Sequence, residues 1–230
     1  MKITWLTQAG LLFNTGKLLI MVDPYLSDSV GETLDPAKHR RIPVDEKYLG
    51  IIPDVLLITH DHLDHLDPDT LKHYLGQTEK PVTVLAGENA YFKVRAFGGP
   101  HNYVLLSPHT VWSEGGVTFY SVRAEHSDRT AVGFILDDGR STYYVSGDTL
   151  YNYDVLDDVL ELVEDGVDYA FLPINGVGNN MNAQDAADFA YELGAAHAVP
   201  LHYGLFDSID PAVFDFEDTV LLESYKEIEL

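Results

Sequence analysis

Short runs of Val, Ile and Leu, each cut off by a polar turn, recur along the whole chain. They are Leu18 to Val22 before Asp23-Pro24, Val55 to Thr59 before His60, Val82 to Ala86, Val117 to Val122, Val132 to Leu136, Thr142 to Val145, Tyr169 to Leu172, and Ala198 to Leu201. Their length and their β-branched and aromatic content predict strands. Several are apolar at consecutive positions instead of alternating, which predicts sheets covered on both faces. Between them the period changes. Asp67 followed by Pro68 predicts a capped helix start, with Thr70 to Leu75 as its body and Gly76 as its stop. Asn182 is placed to cap a helix in which Ala183, Ala186, Ala187, Ala190 and Leu193 recur at helical spacing, closed by Gly194. A third helix is expected over Val155 to Glu164, ending at Gly166. Paired early strands with helices from the middle onward predict an α/β fold with mixed sheets, and 230 residues without low-complexity stretches or repeats predict one domain over residues 1–230.

Composition narrows the function. The chain has 14 Lys and Arg against 37 Asp and Glu, a formal net charge of −23. A field of that sign repels phosphate backbones and anionic membranes, so neither nucleic acid nor a membrane surface is an expected partner. There is no cysteine, which excludes disulfides, thiolate nucleophiles and any sulfur-held metal. The first residues lack the apolar stretch of a secretory signal and no run approaches the roughly 18 residues of a membrane span, which points to a cytoplasmic protein.

The run Thr59-His60-Asp61-His62-Leu63-Asp64-His65 follows an expected strand and precedes an expected helix. It puts three imidazoles and two carboxylates in one loop at the carboxyl end of a strand, where α/β folds place ligands. Three more candidates end apolar runs further on: His126, Asp148 in Ser146-Gly147-Asp148-Thr149, and His202 in Pro200-Leu201-His202-Tyr203-Gly204. Each is weak alone. With the loop motif they form a nitrogen and oxygen donor set suited to Zn, Mn or Fe.

The set His60, His62, Asp64, His65, His126, Asp148, His202 resembles that of the metallo-β-lactamase-fold hydrolases, over the chain from about Lys2 to about His202. Within that superfamily, Asp23-Pro24-Tyr25-Leu26-Ser27, Gly147-Asp148-Thr149, Pro173-Ile174-Asn175-Gly176, Asn180-Met181-Asn182 and Pro200 to Gly204 are similar to the branch that contains L-ascorbate-6-phosphate lactonase. The resemblance implies a four-layer αβ/βα sandwich and two divalent metal ions, with a single ion as the alternative. His60, His62 and His126 would hold the first ion and Asp64, His65 and His202 the second, with Asp148 bridging. Asp64 and Asp148 are then the candidate catalytic carboxylates, and a metal-bridging hydroxide the implied nucleophile.

Liganding imidazoles usually donate their other nitrogen to a carboxylate or carbonyl. Asp23 and Asp61 are the candidates for that task, with Asp128 and Thr149 behind them. Asn175 and Asn182 are candidates for substrate contact. Basic residues to clamp an anionic substrate are few: Lys38, Arg40, Arg41 and Arg129. The expected partner is a small molecule, a lactone, ester or sugar-phosphate derivative, handled by a monomer or a homo-oligomer. The alternatives are a nuclease or phosphodiesterase of the same fold, which the charge disfavours; a di-iron redox module, which would carry Glu at the position of His62 and a separate flavin domain; and a metal-binding protein without turnover.

Overall fold

The computed structural model describes residues 1–163 and 166–230. Its chain divides into two compact units, one of residues 1–105, 204–208 and 222–230, the other of residues 106–203 and 209–221.

The first unit holds a seven-stranded sheet. β1 (Lys2–Trp5), β2 (Leu11–Asn14) and β3 (Leu19–Val22) run as an antiparallel meander, with Trp5 opposite Leu11 and Leu11 opposite Val22. β4 (Val55–Ile58) and β5 (Thr83–Gly87) then add parallel to β3, with Ile20 opposite Val55 and Leu57 opposite Leu85. β6 (Asn102–Leu106) closes one edge. All four residues of β4 and all five of β5 are buried, as expected of parallel strands covered on both faces. Met21, Leu56, Ile58 and Val84 pack with Leu71, Tyr74 and Leu75 from the helical segment that follows the histidine loop.

That segment begins as the sequence requires. The Asp67 side chain accepts from the N–H groups of Asp69 and Thr70, and Pro68 occupies the start of α1 (Pro68–Leu71), where no N–H is needed. Helical winding continues in a wider turn over Lys72–Gly76. α2 (Glu88–Val94), which the sequence pattern does not announce, starts at Gly87 without a side-chain cap.

The second unit repeats the plan. β7 (Val111–Glu114), β8 (Val117–Arg123), β9 (Val132–Asp137) and β10 (Thr142–Val145) are antiparallel, and β11 (Tyr169–Pro173) and β12 (His197–Leu201) add parallel to β10. Two helices accompany them. α3 (Tyr153–Leu160) is capped by Asn152 and starts two residues before the expected Val155; of the expected end, Glu164 lies outside the described residues. α4 (Ala183–Leu193) is capped by Asn182 and stopped by Gly194 in the left-handed region, and it buries Ala186, Ala187, Phe189, Ala190 and Leu193.

The acidic C-terminal segment is divided. Val220 N–H donates to the Ala198 carbonyl in the second unit, whereas β13 (Glu227–Glu229) pairs antiparallel with β1 in the first. All eight sequence-expected strands are present to within a residue at each end, and β1, β2, β6, β7 and β13 are additional. Among the described residues no helix is long and apolar enough to cross a membrane.

Candidate metal centre

In the first unit the site is built on the ends of β3 and β4. Asp23 follows β3, is fully buried, and donates its own N–H to the Leu57 carbonyl at 3.0 Å. A buried carboxylate is tolerated only when its oxygens are hydrogen-bonded. Here Thr59 N–H donates to Oδ1 at 2.8 Å, the Thr59 hydroxyl donates to Oδ2, and His65 Nδ1 lies 2.7 Å from Oδ2. An ionised carboxylate only accepts, so His65 carries its proton on Nδ1. The Thr59 hydroxyl, having given its hydrogen to Asp23, accepts from His60 Nδ1 at 3.0 Å. Both imidazoles thus keep their lone pair on Nε2, the state a metal ligand needs.

The loop itself is a tight helical turn. The His62 carbonyl accepts from His65 N–H at 3.1 Å and from Leu66 N–H at 2.7 Å. The turn brings the rings together, His62 edge-on to His60 with centroids 4.5 Å apart and His65 tilted against His60 at 4.0 Å. Asp64 Oδ2 is 3.9 Å from His65 Nε2 and accepts from the Gln8 amide at 2.9 Å. Asp23, His60 and His65 each offer a ligand atom within 4.8 Å of the others. The Asp61 carboxylate pairs with Lys93 at 2.7 Å.

In the second unit three strand ends contribute. His126 follows β8, and its Nδ1 is 3.2 Å from the Asn179 carbonyl, which again fixes the proton on Nδ1. Asp148 follows β10 after Gly147, whose φ of +61° permits the sharp turn. Its Oδ2 is 3.9 Å from His126 Nε2, and its Oδ1 is 3.3 Å from Nε2 of His202, which follows β12. All three side chains are buried. The Asn175 amide meets His202 Nδ1 at 2.9 Å through Nδ2, while Oδ1 of Asn175 is buried with no hydrogen-bond partner among the described residues. Turning that amide by 180° sets Oδ1 against a protonated Nδ1 and gives His202 the same tautomer as His60, His65 and His126.

Thr149 ties these ends together: its hydroxyl accepts from Glu125 N–H at 2.9 Å, and its carbonyl accepts from Met181 N–H at 2.9 Å. Asp128 accepts from both the N–H and the hydroxyl of Thr130 at 2.8 Å, shaping the turn that carries Arg129. Asn182 uses its side-chain oxygen to cap α4, accepting from Gln184 and Asp185, and its amide donates to Asp185. Burial raises the Tyr203 phenol beside His202 to about 12, so that ring stays neutral throughout the ordinary pH range.

Backbone strain concentrates at the same places. Among the described residues seven non-glycine positions have positive φ, and four belong to these networks: Gln8 at 51°, Asp23 at 41°, Asn179 at 65° and His202 at 61°. Left-handed backbone costs a non-glycine residue of order 1 kcal/mol and persists only where the surroundings demand it. Gln8, Thr59 and Asn179 are the site residues that sequence reasoning missed. Thr59 had a signal, as the hydroxyl between a buried strand and the first histidine; a backbone carbonyl such as that of Asn179 has none.

The donor set fits divalent ions of the Zn, Mn or Fe kind. Imidazole nitrogens and carboxylate oxygens are present without sulfur, and His60, His65 and His126 have Nδ1 held by oxygen, which leaves Nε2 as the coordinating atom.

Comparison with known proteins agrees with this chemistry. Residues 19–203 match the family model described as the β-lactamase superfamily domain. The chain is 30% identical over 219 residues to a UPF0173 metal-dependent hydrolase of Exiguobacterium sp., covering 91% of this chain and 88% of the relative. It is 28% identical over 225 residues to a UPF0173 metal-dependent hydrolase of Pyrobaculum islandicum, covering 96% and 92%. Among solved structures, the metallo hydrolase Igni18 of Ignicoccus hospitalis superposes with a TM-score of 0.77 at 20% identity, covering 99% of this chain and 97% of that one, a likeness of fold. With its mixed sheets, its helices and its histidine-aspartate loop, the chain belongs to the β-lactamase superfamily, as a metallo-β-lactamase-fold member of its metal-dependent hydrolases.

Proposed function

We propose that His60, His62 and His126 hold one divalent ion and Asp64, His65 and His202 a second, with Asp148 shared, and that the centre hydrolyses a small-molecule lactone, ester or sugar-phosphate derivative. The observation that carries the reading is the treatment of the imidazoles. His60, His65 and His126 each have Nδ1 committed to an oxygen of Thr59, Asp23 and Asn179, an arrangement that raises ligand basicity and fixes ring orientation. When bound, divalent ions supply an activated water and polarise the scissile carbonyl or phosphoryl group. The chain's own residues do the rest. Asp23 and Thr59 hold the rings of His60 and His65, Gln8 holds Asp64, and the buried surroundings of Asp148 and His202 keep bulk water from competing for their atoms.

The branch similar to L-ascorbate-6-phosphate lactonase supports a lactone or sugar-phosphate substrate. A net charge of −23 supports a small-molecule partner over nucleic acid or membrane and suits a cytoplasmic enzyme. The reading takes the 230 residues as one catalytic domain, able to act alone or in a homo-oligomer.

The test is elemental analysis of protein purified without chelator, beside His62→Ala and Asp148→Ala, followed by a screen of lactones, esters and sugar phosphates. The expected result is about two Zn, Mn or Fe per chain, lost together with hydrolysis in both variants. A chain that holds one ion and hydrolyses lactones replaces the two-ion centre with a mononuclear one. Absence of metal, with full stability in chelator, removes the hydrolase reading.

A further inference from the structure

In a molecule with so few cations, the place of each one matters. Of the basic residues in the early loop, Arg40 is spent on structure: its guanidinium donates to the carbonyls of Tyr25, Ser27 and Ile42, to the Thr7 hydroxyl and to the Tyr225 hydroxyl. Arg129 is placed differently. It sits in the turn Asp128 to Ala131, closed by Ala131 N–H donating to the Asp128 carbonyl at 3.1 Å. The neighbouring carboxylate of Asp128 is engaged by Thr130. Among the described residues the Arg129 guanidinium has no hydrogen-bond or ion-pair partner.

Arg129 lines a cavity of about 320 Å³ in the second unit, together with Arg123, Glu125, Thr130 and His126. That volume is at the small end for a ligand pocket. Arg123 is held by its backbone, whose N–H donates to Asp158 at 2.6 Å, while its guanidinium makes only a 3.6 Å contact with the exposed Asp154. Two guanidinium groups and one carboxylate therefore share a recess with a candidate metal ligand, and the recess is cationic in a chain of charge −23.

We infer that Arg129, aided by Arg123, binds an oxyanion group of the substrate, a phosphate or a carboxylate, beside His126. The inference rests on the hydrolase reading for the word substrate, although the anion site stands without it. Planar guanidinium suits bidentate recognition of either group. Glu125 opposes a second negative charge and is placed to accept from a hydroxyl next to the anion. The substrate class is then a small anionic ester or lactone bearing a neighbouring hydroxyl.

The experiment is a calorimetric titration of the metal-loaded full chain with inorganic phosphate, and separately with acetate, at about 0.15 M salt, where distant surface charge is screened. Arg129→Ala is compared with the wild type and with Arg140→Ala, which removes the same charge from a remote turn. Arg129→Ala is expected to weaken the preferred anion about tenfold, and Arg140→Ala less than twofold. Tighter phosphate binding in the wild type assigns a phosphorylated substrate, and tighter acetate binding a carboxylate. Equal affinities in wild type and Arg129→Ala, or no binding of either anion, overturn the proposal.

Paired esters that differ only in an anionic group then separate the two readings. The ratio of kcat/KM for the anionic over the neutral ester should fall about tenfold in Arg129→Ala. Hydrolysis with that ratio unchanged refutes the anion site and leaves the hydrolase. Anion binding lost in Arg129→Ala, with no hydrolysis by any form, refutes the hydrolase and leaves the anion site.

Discussion

The histidine-bearing regions of the two units prepare the same donor atoms in opposite ways. In the first unit four candidate ligands lie within the six positions from His60 to His65, and a buried anion, Asp23, anchors them through Thr59 and His65. In the second unit the candidates arrive singly from the ends of β8, β10 and β12, and neutral groups hold them: the Asn179 carbonyl for His126 and the Asn175 amide for His202. Ionic anchoring makes the first region sensitive to the loss of one side chain. Neutral anchoring makes the second dependent on the register of three strands, so a single side-chain deletion there costs less.

Removing Asp23 should therefore break the molecule hardest. Asp23→Ala leaves the Thr59 N–H and His65 Nδ1 buried without their acceptor, and denaturant unfolding should show a loss of about 2 to 4 kcal/mol, since each buried donor stripped of its acceptor costs about 1 to 3 kcal/mol. A loss under 1 kcal/mol would erase the contrast between the regions.

Asn175→Leu is the matching change in the second unit. It should cost metal affinity about tenfold to a hundredfold, measured by competition with a chelating dye, with little loss of stability in the metal-free state. Asn175→Asp should recover most of that affinity, because a carboxylate also accepts from Nδ1.

Gln8→Ala removes the amide that donates to Asp64 Oδ2. Thermal unfolding should register about 1 kcal/mol.

The smallest effect lies where exposed His109 meets Asp158. Asp158 accepts from His109 Nε2 at 2.6 Å, and this hydrogen bond and its charge raise the His109 pKa above the ordinary value. A raised histidine pKa stabilises the fold below its unfolded value of about 6.5, and the contribution is lost as pH rises through the folded value. Asp158→Asn should return the NMR-detected His109 titration toward the ordinary midpoint. Half-exposure of His109 keeps the accompanying change in stability below about 1 kcal/mol.

How legible these regions are in the sequence follows the same contrast. The loop His60 to His65 declares itself because its donors are contiguous, and Asp67, Asn182 and Gly194 declare their helices because capping is a local interaction. His126, Asp148 and His202 are each ordinary residues after a strand, and only resemblance to a family gathers them. The missed strands have physical reasons too. β6 does carry an apolar run, Tyr103 to Leu106, but buries only Leu106; β7 mixes Ser and Glu with Val and Trp and buries none of its residues; and β13 is a Glu-Ile-Glu triplet that gains strand character only by pairing with β1. Gln8 is invisible for a different reason. Its role depends on a left-handed turn between β1 and β2 that aims an otherwise unremarkable amide at Asp64.

The division of the chain has a consequence for how such a protein can be cut or recombined. The polypeptide passes from one unit to the other after Leu105, Tyr203, Ser208 and Leu221. A fragment ending at Leu105 would lack β13, the strand that satisfies the outer edge of β1. Neither half is therefore a cassette that a gene could exchange by a single crossover. Any cut that keeps the first unit whole must carry residues 222–230 along with β1, whose pairing with β13 runs on into the Met1 to Leu230 hydrogen bond of 2.9 Å.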